Sequence, residues 1–190
     1  MSRPASLKTL LLACAPAALA LGLAGPALSA PTAKTAPATT PALDAAARAV
    51  RAELKSVGAT RFTAPDYKPG VVRHMVMFTF RPGTTAAQRA EVTRRFVALT
   101  TLSRRPDGKT VVTSIETGAQ NSGENADLGL EQGYLVTFPS EGDRNFYVGR
   151  PIVTEAGHFD PAHDAFKTFA GPYLAKVVVF DFTPTAPAAP

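Results

Sequence analysis

The chain has no tryptophan, a single cysteine and only three histidines in 190 residues. Each scarcity removes a class of chemistry. The cysteine, Cys14, lies inside an uncharged apolar run from Thr9 to Leu23. If that run is removed, the mature protein has no thiol, which excludes disulfides, thiolate catalysis and cysteine-ligated metals. No short His-x-His pattern occurs, so no metal site is expected, and no sequence motif calls for a cofactor. Basic residues are scattered, with short pairs only at Arg94-Arg95 and Arg104-Arg105. Without a basic stripe interleaved with aromatics, nucleic acid is not an expected partner.

The first residues have the three-part layout of a secretory signal. Arg3 and Lys8 give a positive start, Thr9 to Leu23 an apolar centre, and Ala27-Leu28-Ser29 the small residues read by a signal peptidase. Cleavage is expected after Ser29; cleavage after Ala30 would place Pro31 first and Leu28 at a position preferring a small side chain. The run is too short and alanine-rich to span a membrane comfortably, so stable membrane insertion after cleavage is not expected. Leu11-Leu12-Ala13-Cys14 only loosely imitates a lipoprotein site, because almost no apolar segment precedes it. Loss of residues 1–29 takes Arg3 and Lys8 away, which lowers the net charge from +5 to +3. The expected location is periplasmic or secreted.

Residues 30–42 are rich in alanine, proline and threonine and read as a linker; residues 185–190 repeat that composition as a loose tail. Residues 43–58 place Leu43, Ala47, Val50, Leu54 and Val57 at helical spacing, with Arg48, Arg51, Glu53 and Lys55 opposite and Gly58 as a stop. Val71 to Phe80 predicts a strand with His74, Val76, Phe78 and Phe80 on one face and Arg73, Met75, Met77 and Thr79 on the other. Both faces are largely apolar, as in a strand covered on both sides. A helix over 86–102, strands over 110–117 and 134–138 and a short helix over 141–148 follow. Asp160 then caps a helix that has Pro161 in its first turn and runs to about Ala170. Lys176 to Phe182 reads as a closing strand. The order β-α-β-β-α-β is the ferredoxin-like α+β arrangement of four antiparallel strands with helices on one face.

Three segments, Val72 to Gly83, Asp160-Pro161-Ala162-His163-Asp164-Ala165-Phe166 and Val179-Phe180-Asp181-Phe182, together resemble the stress-responsive dimeric α/β-barrel family. That family is marked by a histidine on the first strand, a His-Pro-x-His-x-x-Phe helix start and a closing strand ending in an acidic residue. The resemblance covers residues 71–184. It implies a homodimer in which two sheets meet face to face and close a barrel, with a cavity in each protomer. It also implies a small-molecule ligand, with His74, Val76, Phe78, Tyr147, His163 and Val179 around the cavity.

Some members of that family, such as the plant polyketide cyclase, carry out cofactor-free acid–base chemistry. The resemblance assigns such a role to His163, Tyr147, His74 and Asp181. Tyr147 matches the family tyrosine if Arg150-Pro151 stands for the motif's first His-Pro. Ile152 to Pro161 is then an insertion, and His158, which belongs to it, is placed over the cavity mouth. A neutral imidazole can move a proton near pH 7, a carboxylate can fix its tautomer, and a phenol can donate to a developing oxyanion. The residues leave two outcomes open. Either His74, His163 and Asp181 form a working site, or they satisfy one another inside the barrel. The first expectation is an exported protein that holds an apolar or aromatic molecule, with a role resembling stress response. A cofactor-independent lyase, cyclase or isomerase is the alternative. Haem or flavin binding, known among related barrels, is a further one.

Overall fold

A computed structural model describes residues 42–185; the expected signal segment and most of the linker and tail lie outside the described residues. Alternating burial along the first strand organises the fold. In β1 (Pro69–Phe80), Val72, His74, Val76, Phe78 and Phe80 are buried, and the residues between them are only partly covered. β1 takes a central place in a four-stranded antiparallel sheet, between β3 (Gln132–Ser140) and β4 (Leu174–Phe182), with β2 (Ser114–Ala119) outside β3. The helices α2 (Ala86–Leu102), α3 (Glu141–Val148) and α4 (Pro161–Ala170) cover the face that carries His74. This is the ferredoxin-like α+β fold.

The helix starts are set by short-range chemistry. Thr85 and Gln88 form a reciprocal capping box at α2, which satisfies donors that the first helical turn leaves free. Ser140 caps α3, and Asp160 with Pro161 starts α4. The main core joins Phe78, Phe96 and Tyr134, with Phe96 stacked on Tyr134 at 4.0 Å and edge-on to Phe166 at 5.1 Å. Burial of such aromatic side chains stabilises a core by about 1.5–3 kcal/mol each.

Two element boundaries differ from the sequence expectation. The first helix, α1 (Ala45–Phe62), does not stop at Gly58: that residue adopts φ 76°, kinks the helix, and a last turn carries Ala59 and Phe62 into a second cluster with Tyr67 and Val153. The segment expected as a strand from Thr110 is irregular until Ser114, because Val111 and Val112 are both buried. A half-covered strand would send consecutive side chains to opposite faces.

α3 docks against the turn after α1 without a side chain between them. The Gly142 amide donates to the Tyr67 carbonyl at 3.0 Å, and a Cβ at Gly142 would lie 1.7 Å from the Ala64 carbonyl oxygen. The Asn145 amide also donates to the Phe62 carbonyl at 2.8 Å. Gly142→Ala is therefore expected to destabilise the fold by about 1–3 kcal/mol or more in urea denaturation. Gly118→Ala, where a Cβ would meet nothing within 4 Å, serves as the control. Equal midpoints for the two variants would contradict this docking.

Candidate functional site

The sheet register sets His74 directly opposite Asp181 on β4. The His74 Nδ1–H donates to Asp181 Oδ1 at 2.6 Å, and the other carboxylate oxygen accepts from Arg144 of α3. Burial works to raise the Asp181 carboxyl, but the hydrogen bond and charge of His74, with Arg144 behind them, hold it below its ordinary value. Asp181 therefore stays ionised near neutral pH. An ionised acceptor at Nδ1 fixes the tautomer of a neutral His74 and leaves Nε2 as its free nitrogen.

His163 is held differently. It sits in the first turn of α4 and is 8 % exposed. Its Nδ1–H donates to the backbone carbonyl of Tyr147 at 2.6 Å. The Tyr147 ring stacks on the imidazole with centroids 3.9 Å apart and planes 12° from parallel. Burial lowers the His163 pKa to about 3, and the Tyr147 carbonyl opposes this only in part. His163 is consequently a neutral imidazole at neutral pH, with Nε2 an acceptor.

Both histidines line one cavity of about 400 Å³. Its walls include Val76, Phe78, Phe96, Phe166, Val177 and Val179, with Arg150 and Lys167 also lining it. Among the described residues no carboxylate lines it. Asp164, which pairs with Arg150 at 2.9 Å, stands outside the lining, as does Asp181. Lys167 Nζ donates to the carbonyls of Val148 at 3.0 Å and Arg150 at 2.7 Å.

Of the residues expected around the cavity, His74, Val76, Phe78, His163 and Val179 line it. Tyr147 does not. It is 1 % exposed, and its hydroxyl is buried without a hydrogen-bond partner among the described residues. Burial first, and then the nearby Asp160, push that phenol well above its usual value. The tyrosine thus meets His163 through its ring and its carbonyl, from behind. His158 differs from expectation as well: its ring nitrogens lie 3.4 Å from Thr60 Oγ1 and 3.5 Å from Thr63 Oγ1. The inserted segment packs on α1 through Ile152 and Val153, and His158 is not part of the cavity wall. Sequence reasoning missed Lys167, although its spacing of four residues from His163 on one helix places both on one face. Among the described residues no group of three His, Cys, Asp or Glu side chains could hold a metal ion, and no helix is long and apolar enough to cross a membrane.

The sequence pattern of the stress responsive A/B barrel domain matches residues 72–184. Solved structures of this fold include a protein of Arabidopsis thaliana, 23% identical with a TM-score of 0.50, the match covering 62% of this chain and 99% of that one. A hydroxynitrile lyase of Passiflora edulis is 19% identical with a TM-score of 0.48, covering 64% and 99%. A Dabb family protein of Mesorhizobium loti is 20% identical with a TM-score of 0.44, covering 62% and 99%. No curated protein sequence is significantly similar to the chain.

The low pKa of His163 has a consequence for acid stability. The unfolded histidine takes up its proton near 6.5 and the folded one only near about 3. Its contribution is complete above pH 6.5 and is lost as pH falls toward 3, at up to about 1.4 kcal/mol per pH unit. Asp181, whose depressed value lies below 3.8, is lost in the same direction but only at lower pH. His163→Gln should therefore show a flatter stability profile than the wild type between pH 6.5 and 4.5 in denaturant titrations; parallel profiles would contradict the buried neutral imidazole.

Proposed function

Because the chain belongs to the stress responsive A/B barrel domain family, we propose that it is an exported homodimeric barrel that binds a small, largely apolar molecule in the histidine-lined cavity. The observation that carries this reading is the state of the two imidazoles. Each has its Nδ1 committed inside the protein, to a carboxylate for His74 and to a carbonyl for His163. Each keeps Nε2 for something else in a largely apolar cavity of ligand size. A group near pKa 3 is a poor general base at neutral pH, which favours binding over proton abstraction by His163. Arg150 and Lys167 in the lining are paired with Asp164 at 2.9 and 3.7 Å, so the polar groups left for a ligand are the two Nε2 acceptors, which suit a molecule carrying a hydroxyl or amide donor.

Dimer formation is supported by the uncovered face of the sheet. Met75 and Phe180 stand opposite one another in the register, as do Met77 and Val178, and Phe180 is 60 % exposed. A contiguous apolar face of this kind calls for a partner, and a second copy of the same sheet would close the barrel. Export is supported by the layout of residues 1–29 alone. It implies a ligand available outside the cytoplasm.

Acid–base catalysis is the second reading. It is favoured by His74, whose imidazole is backed by ionised Asp181 in the manner of a base and its orienting carboxylate. If it holds, a cavity-bound ketone should exchange its α-protons with D₂O faster on the wild type than on His74→Gln, as followed by proton NMR. Equal exchange would leave binding as the function.

For binding, native mass spectrometry of a small-molecule library against the wild type and His163→Ala is the direct test. Ligands retained by the wild type should lose at least tenfold in affinity in the variant. Retention of none, or identical retention by both, would defeat the proposal. Light scattering should give twice the protomer mass for the wild type, and Phe180→Lys should shift the molecule toward monomer.

A further inference from the structure

The sheet face turned away from the helices is lopsided in shape and in charge. Strand register lays its side chains out in rows across β2, β3, β1 and β4. One row runs Glu116, Leu135, Met75, Phe180, and the next Gly118, Gly133, Met77, Val178. Bulk gathers on β4, where Phe180 and Phe182 form a ridge with ring centroids 6.0 Å apart. The β2 side is hollow. Gly118 and Gly133 stand opposite one another and floor a depression of about 340 Å³ walled by Met75, Met77, Glu116 and Leu135. A Cβ at Gly118 would meet nothing within 4 Å, and one at Gly133 only the Gly118 carbonyl oxygen at 3.9 Å. A methyl there leaves most of the hollow open, whereas a phenyl ring fills it.

Charge is divided across the same face. Arg73 stands on β1 between Thr137 and Phe182, and Glu116 stands on β2 beside Leu135. They occupy different rows, with β3 between their strands. Among the described residues neither is in an ion pair, and Arg73 donates only to the Thr137 hydroxyl. A charge that is covered without a counter-charge is costly. The face that a second copy must cover therefore carries one cation and one anion, each in need of the other.

Two-fold symmetry makes every contact reciprocal. Sheets packed face to face lie about 10 Å apart with their strands roughly aligned, which leaves two ways for the copies to meet. An axis across the strands sets β4 on the partner's β4, so that ridge meets ridge and the two hollows enclose a void. An axis along the strands sets β4 over the partner's β2. The ridge then enters the hollow, and Arg73 comes within side-chain reach of the partner's Glu116. Large side chains against small ones are how packed layers interdigitate. β2 and β4 are also the outer strands of the sheet, and this arrangement lays their edges side by side, covering backbone groups that an exposed edge leaves open.

We propose that the homodimer is built about an axis along the strands, with the partner's Phe180 seated in the Gly118–Gly133 hollow and Arg73 paired with the partner's Glu116. This rests on the homodimer reading above and adds which parts of the two sheets recognise each other.

The test is the dimer dissociation constant of the full chain by sedimentation equilibrium, with native mass spectrometry to tell homodimers from heterodimers. Arg73→Glu and Glu116→Arg each set like charges across the interface, and each should weaken self-association about tenfold or more. Mixed in equal amounts, the two variants should form a heterodimer within about threefold of wild-type affinity, because both cross-pairs are then opposite in sign. Gly118→Phe should block the partner's Phe180 and weaken the dimer to a similar extent. Adding Phe180→Ala to Gly118→Phe moves the ring from ridge to hollow and should recover the dimer. Circular dichroism melts establish that each variant is folded, and Gly118→Leu takes the place of Gly118→Phe if the latter is not. A mixture that associates no better than either charge variant alone overturns the ion pair. A Gly118→Phe dimer of wild-type affinity overturns the seat for Phe180. A wild type that stays monomeric overturns the homodimer reading itself, whereas a wild-type dimer indifferent to all these substitutions leaves that reading standing and removes only this arrangement.

Discussion

The contact of His74 with Asp181 is where the rest of the structure meets. It joins the central strand β1 to the edge strand β4, and Arg144 ties both to α3. An imidazole buried in an apolar face, or a half-buried carboxylate, is costly without a partner. Together they are satisfied, and breaking such a pair from one side costs on the order of 3–5 kcal/mol when burial is complete. The pairing also decides the chemistry. With Nδ1 committed to Asp181, the other nitrogen of His74 is the one left for the cavity.

His163 is the counterpart with the opposite electrostatic outcome. Its anchor is a neutral carbonyl, its cover is the Tyr147 ring, and burial dominates. Two histidines a few elements apart in one cavity therefore do not share a role. One stands on an ionised carboxylate and the other is kept neutral. Such divergence between two titratable groups in one cavity marks a candidate functional site, and it needs no residue beyond those the fold supplies.

α1 and the inserted segment belong to each other more than to the barrel. Phe62, Tyr67, Val153 and Ile152 form a cluster of their own, and His158 faces threonines of α1. The kink at Gly58 lets the last turn of α1 reach that cluster, and Gly142 lets α3 approach the following turn closely. An addition on one side of the domain is thus matched by an insertion on the other. The two meet beside the edge strand, next to the histidine cavity.

Strand and helix patterns were legible in the sequence because burial imposes a period on each element: alternation over Val71 to Phe80, and a stripe of Val92, Phe96 and Leu99 on α2. The inward direction of His74 and His163 followed from the same patterns. Chain order alone could not set the register that pairs His74 with Asp181, though the resemblance grouped them. Nor could local pattern show that Tyr147 turns its hydroxyl away from the cavity, since a buried aromatic on a short helix reads alike whether it faces the cavity or the back of a neighbouring ring. Val111 and Val112 were misread because their burial comes from a loop plugging the core, not from a strand. What the sequence by itself determined is the order of elements, their inner faces and the residues able to carry charge or a proton. The tertiary structure decided which nitrogen of each histidine is free, that Lys167 joins the wall, and that α1 borders the site. Those depend on distances between segments remote in the chain, and no local period encodes them.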